Sequence, residues 1–291
     1  MGMRGLLLGA ALAMVPLAAG AEDSSVPDFS GIWWHPSLPG VEPLASGPTS
    51  LVNRSRRNGV SNYDQLVGDY SNPILKPETA AVVKQFGEQS LAGVTFPNPA
   101  NQCWPEPGPF IYKNFGLQMF QKSGEIVMIY DQDHEVRRIR MNSPHPADAK
   151  PSWYGDSVGR YEGDTLVVDT IAIRTDRPFP MIDLYGTPYS RKLHMIERYR
   201  LIDYDAAKDG LDRDAKENMQ IPGFADRSYR GKHLQVALTV EDEEIFTMPW
   251  GATVTFGRGT GNWPETVCAE NTHEYYANKD SEVPAAIKPD L

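Results

Sequence analysis

The chain has 291 residues, with 28 basic and 38 acidic side chains and a formal net charge of −10. A surplus of that sign argues against nucleic acid and anionic membrane surfaces as partners, and solubility alone accounts for it.

Residues 1–21 read as a secretory leader: Arg4 supplies a positive start, Leu6 to Leu17 a short apolar run, and Ala19-Gly20-Ala21 a small-residue cleavage site. The run is too short for a membrane span and no later segment approaches the required length. The mature chain is therefore expected in the periplasm or secreted. Cys103 and Cys268 are the two cysteines, an even count that in an exported protein predicts one disulfide.

From residue 22 to 108 the pattern is irregular, rich in Pro, Gly, Asn and Ser. A helix is expected over 76–91, where Pro77 and Glu78 suit a first turn, and a short strand over 28–34. This stretch reads as an arm that wraps a core. From Ile111 the apolar period becomes two, and strands are expected at 117–121, 126–130, 136–141, 157–160, 165–171, 193–201, 233–240 and 245–248. Gly163, in Glu162-Gly163-Asp164, marks a tight hairpin turn. Residues 201–223 read as an acidic surface loop. The expected division is a leader at 1–21, an arm at 22–108, an antiparallel β-barrel or sandwich at 109–276, and a polar extension at 277–291. No Gly-x-Gly-x-x-Gly, P-loop or strand–helix alternation points to a nucleotide fold.

Strand parity isolates the chemistry. Arg137 shares a face with Ile139 and Met141, and Glu197 with Met195 and Tyr199. Each is a charge among apolar neighbours, costly if buried unless paired or functional. They are either an ion pair that sets barrel register or a guanidinium and carboxylate lining a ligand cavity. Tyr130 shares parity with Ile126 and Met128 and reaches the same interior. Asp169 lies on a strand apolar on both faces. His145, between Pro144 and Pro146, is the histidine best placed for acid–base work, its rigid loop aiming it at a barrel mouth. Trp153 and Tyr154 at a strand end, with Tyr199 and Asp169, are the expected substrate contacts. No His-Glu-x-x-His or Cys-x-x-Cys spacing is present, and the run Asp131/Asp133/Glu135 lacks the glycine and terminal Glu of a calcium loop. No metal and no cofactor is expected.

Several segments resemble one family: Arg137-Arg138-Ile139, His145-Pro146, Gly155-x-Ser157-x-Gly159, Tyr161 to Thr170, Leu193-His194, Glu197-Arg198-Tyr199 and Cys268-Ala269-Glu270-Asn271. The chain is similar to secreted bacterial proteins, most without an assigned activity, that share a Gly-x-Ser-x-Gly-x-Trp/Tyr-Glu-Gly-Asp-Thr-Leu-Val-Val-Asp-Thr motif. The resemblance implies a lipocalin-like, calycin-type barrel. The family commonly has His where this chain has Asp156, and Asp-Gly-Arg where it has Asn142-Ser143-Pro144.

The expected function is cofactor-independent lyase or isomerase chemistry on a small aromatic or hydrophobic acid inside the barrel. Arg137 would hold a carboxylate or oxyanion, Tyr130 a phenolic oxygen, and Glu197 or His145 the proton. This role assignment follows the likeness to phenolic acid decarboxylases, a fold-level analogy. One alternative is a non-catalytic periplasmic carrier of a hydrophobic small molecule. The other is a structural protein with a filled barrel and a functional arm.

Overall fold

Nine strands close on themselves. In the computed structural model, which describes residues 26–43, 47–113, 115–132, 135–217, 224–261, 263 and 265–268, the ring runs through β1 (Gly31–Trp34), β5 (Gly116–Gln121), β6 (Glu125–Tyr130), β7 (Val136–Met141), β8 (Asp156–Glu162), β9 (Thr165–Ile171), β10 (His194–Ile202), β11 (His233–Glu241) and β12 (Trp250–Arg258), and β12 pairs back to β1. Neighbours are antiparallel except β7 and β8, which run parallel. The two-residue strand β2 (Glu42–Pro43) adds to β12, and β3 (Arg56–Arg57) pairs with β4 (Val60–Ser61) in a separate ribbon. The leader, His134, His273 and the extension after residue 276 lie outside the described residues.

Alternation decides what faces inward. Ile126 and Met128, Ile139 and Met141, Leu166 and Val168, Leu234 and Val236 are buried from successive strands, while Arg138, Arg140, Arg198 and Arg200 point out. At Gly159 a Cβ would lie 2.7 Å from Met141 Sδ and 2.9 Å from Ile139 Cγ2, so only glycine lets those side chains fill the wall. The β8–β9 hairpin turns at Gly163, φ 62°, as its sequence demands. One end of the barrel interior is filled by a 3-10 turn, Phe110–Lys113, all four residues of which are buried.

Helix α1 (Pro77–Leu91) forms where expected, starting on proline. The disulfide Cys103–Cys268 is present, with Cα atoms 5.4 Å apart across 165 residues of sequence. On the chain-entropy view such a loop stabilises by roughly 4–5 kcal/mol.

Three expectations change. The barrel does not begin at residue 109, because β1, inside the strand expected over 28–34, is one of its staves. Residues 245–248 form a turn held by Asp242, whose carbonyl accepts from Ile245 and Phe246 N–H; the strand begins at Trp250. Its Thr, Ala and Gly residues, buried on both faces, show little alternation. Within 201–223, residues Tyr204–Glu217 are a helix, α2, which buries Ala207, Gly210 and Asp214 at helical spacing against the outside of β11 and β12. Small residues carry that face, which is why no apolar stripe shows in the sequence.

His35, just after β1, is fully buried with its ring edge-on to Phe256 and Nδ1–H donating to Pro36 O at 2.6 Å. Burial, assisted by Arg213 and Lys113, lowers its pKa to about 3. The unfolded chain, with an ordinary histidine near 6.5, therefore binds the proton first. Stability should fall as pH drops from about 6.5 toward 3, by on the order of 5 kcal/mol in full. His35→Asn, which keeps a donor near Pro36, should show a shallower loss in urea titrations at pH 6, 5 and 4; an unchanged slope would refute this.

Candidate functional site

Inside the barrel the guanidinium of Arg137, on β7, meets the carboxylate of Glu197, on β10. Nη1 donates to Oε1 at 2.7 Å and Nη2 to Oε2 at 2.5 Å, with the two residues 3% and 0% exposed. The strands between them complete the shell. Arg137 Nε donates to Ser157 Oγ at 3.1 Å and Nη2 to Thr170 Oγ1 at 2.6 Å. Tyr199 donates to Glu197 Oε1 at 2.9 Å, and Tyr112, from the 3-10 turn, donates to the same oxygen and contacts the Tyr199 hydroxyl. Tyr130 lies against Arg137 and Tyr112. Burial opposes the Arg137 charge, but Glu197 together with Tyr130 and Tyr112 outweighs it and holds the guanidinium protonated. Burial pushes the phenols of Tyr112, Tyr130 and Tyr199 up, so all three are neutral donors.

The polar network continues toward the end of the barrel where the 3-10 turn enters. Next to Tyr130 sits Tyr154, whose phenol is pushed up by burial and by Glu135. Glu135 accepts the backbone N–H of Glu106 at 3.0 and 3.2 Å. Glu106 is 0% and Lys113 4% exposed; burial lowers the Lys113 pKa against the opposing pull of Glu106 and Glu135. Arg177, 8% exposed, faces the same two carboxylates and Tyr189. Its Nη1 donates to Pro105 O at 2.8 Å, while Nε and Nη2 are buried with no well-formed hydrogen bond. Arg177 and Arg174 each stack on Trp153, 4.7 Å from its ring centroid, and Trp104 stacks on the 40% exposed Phe179. Three buried ionisable groups, Glu106, Lys113 and Arg177, beside an aromatic wall are an expensive arrangement of the kind that functional sites carry.

The structure thus gathers Arg137, Glu197, Tyr130 and Tyr199 in one cluster, with Tyr154 and Trp153 in its extension. It does not bring His145 or Asp169 there. Both sit on the outer wall, where His145 Nδ1 is 2.6 Å from Asp156 and its Nε2 is 3.1 Å from Asp169; Asp169 also meets His194 Nε2 at 3.0 Å. His145 is thus held against the wall, away from the barrel mouth. Among the described residues no group of three or more His, Cys, Asp or Glu could hold a metal ion, and no helix is long and apolar enough to cross a membrane. Sequence reasoning missed Tyr112, Lys113, Glu106 and Arg177. All four lie in loops or a single turn, where parity has no purchase. The one available signal was a lysine ending the apolar run Phe110-Ile111-Tyr112.

No protein-family model, curated protein or solved structure matches the chain.

Removing one member of the interior pair should cost about 3–5 kcal/mol, because the other charge stays buried. Arg137→Met and Glu197→Leu should each do so in denaturant melts. The double variant should recover most of the loss, since Ser157 bonds Thr170 and Tyr112 bonds Tyr199 without the ions. Additive losses would refute the pairing.

Proposed function

We propose that the protein carries out cofactor-independent acid–base chemistry, of the lyase or isomerase kind, on a small aromatic or hydrophobic acid, and does so in the periplasm or outside the cell. One observation carries the reading: Nε and Nη2, on one edge of the Arg177 guanidinium, are buried without a well-formed hydrogen bond, the Tyr189 hydroxyl being their one near acceptor, while the plane stacks on Trp153. Two N–H groups on one edge of a guanidinium are the fork that a carboxylate fills with two parallel hydrogen bonds. Trp153, Trp104 and Phe179 offer flat apolar area to the ring of such an acid.

Arg177 takes the anchoring role first expected of Arg137. Arg137 is saturated by Glu197, Ser157 and Thr170, and a substrate carboxylate would have to displace its own partner. The pair acts from behind, fixing Tyr112 and Tyr130. Glu135 and the Tyr154 phenol are the groups beside Arg177 that move a proton, and both reaction types need only that transfer and no electron carrier. The fork is shut off from solvent, so binding requires the exposed Phe179 side chain to swing off Trp104 and open a path to it.

The same contacts would serve a carrier, and turnover separates the two. Purified protein is incubated with hydroxycinnamate-like and lignin-derived aromatic acids while ultraviolet spectra and product masses are followed. Turnover is expected. Arg177→Met should lower kcat/KM by about 30–150-fold, the equivalent of 2–3 kcal/mol. Binding without product would favour the carrier, and no binding would reject both.

A further inference from the structure

A second site borders this cluster at Lys113, which lines its inner chamber. An open cleft of about 200 Å³ runs between Leu38, Leu51 and Val52 on one side and Arg56 and Arg213 on the other. It shares Val41, Leu51 and Tyr185 with an inner chamber of about 20 Å³ lined by Pro109, Ile182, Asp183 and Trp250. A chamber of that size holds one water-sized group.

The polar atoms around these spaces are uncommitted in a particular pattern. Trp250 is 4% exposed and its indole N–H is buried without a hydrogen-bond partner. Such a donor is costly unless something accepts from it. Asp183 Oδ1 accepts the backbone N–H of Tyr185 at 2.9 Å and of Thr187 at 3.1 Å, and the Thr187 side chain lies beside the same carboxylate. Burial raises its pKa to about 6, so it is mostly a carboxylate at pH 7.5. In the outer cleft Arg213 donates through Nη2 to Asp214 at 3.2 Å, while its Nε is buried and unpartnered. Arg56, by contrast, is held by Glu217.

We infer that the cleft and chamber together bind a small hydroxylated carboxylic acid, hydroxyl inward and carboxylate toward Arg213. The hydroxyl is the one-atom group that fills the chamber while accepting from the Trp250 indole N–H and donating to Asp183. The apolar body lies on Leu38, Val41 and Leu51, and the carboxylate accepts from Arg213 Nε. Of the two needs, the chamber's is the more selective, because an acid without the hydroxyl leaves the buried Trp250 indole N–H without an acceptor. This site does not depend on the role proposed for Arg177.

Calorimetry at pH 7.5 on the full chain, with 4-hydroxybenzoate and benzoate as probes, tests it. The hydroxylated acid should bind at least tenfold more tightly. Asp183→Asn should erase that preference, and Arg213→Gln should weaken both acids by about tenfold. Val52→Trp, at a 42% exposed rim position, should block both without lowering Tm. Arg177→Met should leave binding here unchanged, which separates this site from the one proposed above. Equal affinity for the two acids, insensitivity to Arg213 and Val52, or no binding of either probe would overturn the inference.

Discussion

The ion pair between Arg137 and Glu197 is the constraint on which the interior is organised. Its partners stand three steps apart around the ring, on β7 and β10, and the strands between contribute Ser157 and Thr170 to the same shell. Four consecutive strands thus each present one polar group to a single point. A one-residue slip of any of them would turn its group outward and strand the others in an apolar core. Hydrophobic burial closes the barrel, but it does not by itself choose among registers that bury similar area. The pair does, which is the best-attested use of a buried charge.

Its reach extends beyond the wall. Glu197 is the acceptor for Tyr112, and Tyr112 belongs to the turn Phe110–Lys113 that fills the barrel end. Pinning the phenol sets the position of Lys113, one residue on, beside Glu106 and Glu135. The aromatic end of the molecule, with Arg177 on Trp153, is built onto that same frame. Stability and the proposed chemistry are coupled here through one adjacent pair of side chains, one facing the core and its neighbour the carboxylates.

What could be read in advance follows the physics of each element. Period two is a direct imprint of the pleat, so the parity of Arg137, Glu197, Tyr130 and Tyr199 was legible, as were the β8–β9 turn and the cysteine pairing. β12 was missed because it is buried on both faces and shows no alternation, and α2 because Ala207 and Gly210 bury little area. Asp169 could not be placed because a strand apolar on both sides, such as β9, does not declare its inner face, and His145, in a loop between β7 and β8, has no parity at all. The loop residues Glu106 and Arg177 were beyond any periodicity argument; only closure of the chain brings 106, 135 and 177 together.

That closure has a bearing on how the molecule is made. The pairing that seals the ring joins β1 to β12, the first and last strands among the described residues. A chain that emerges N-terminus first must therefore hold Trp33 and its neighbours in waiting while more than two hundred residues appear. β1 meanwhile has only β5 to pair with, and its other edge stays open. Shortening the chain at its far end would therefore harm its beginning. A truncation that removed β12 would leave β1 and β11 as facing unpaired edges in an open sheet, and such edges invite pairing with a second copy.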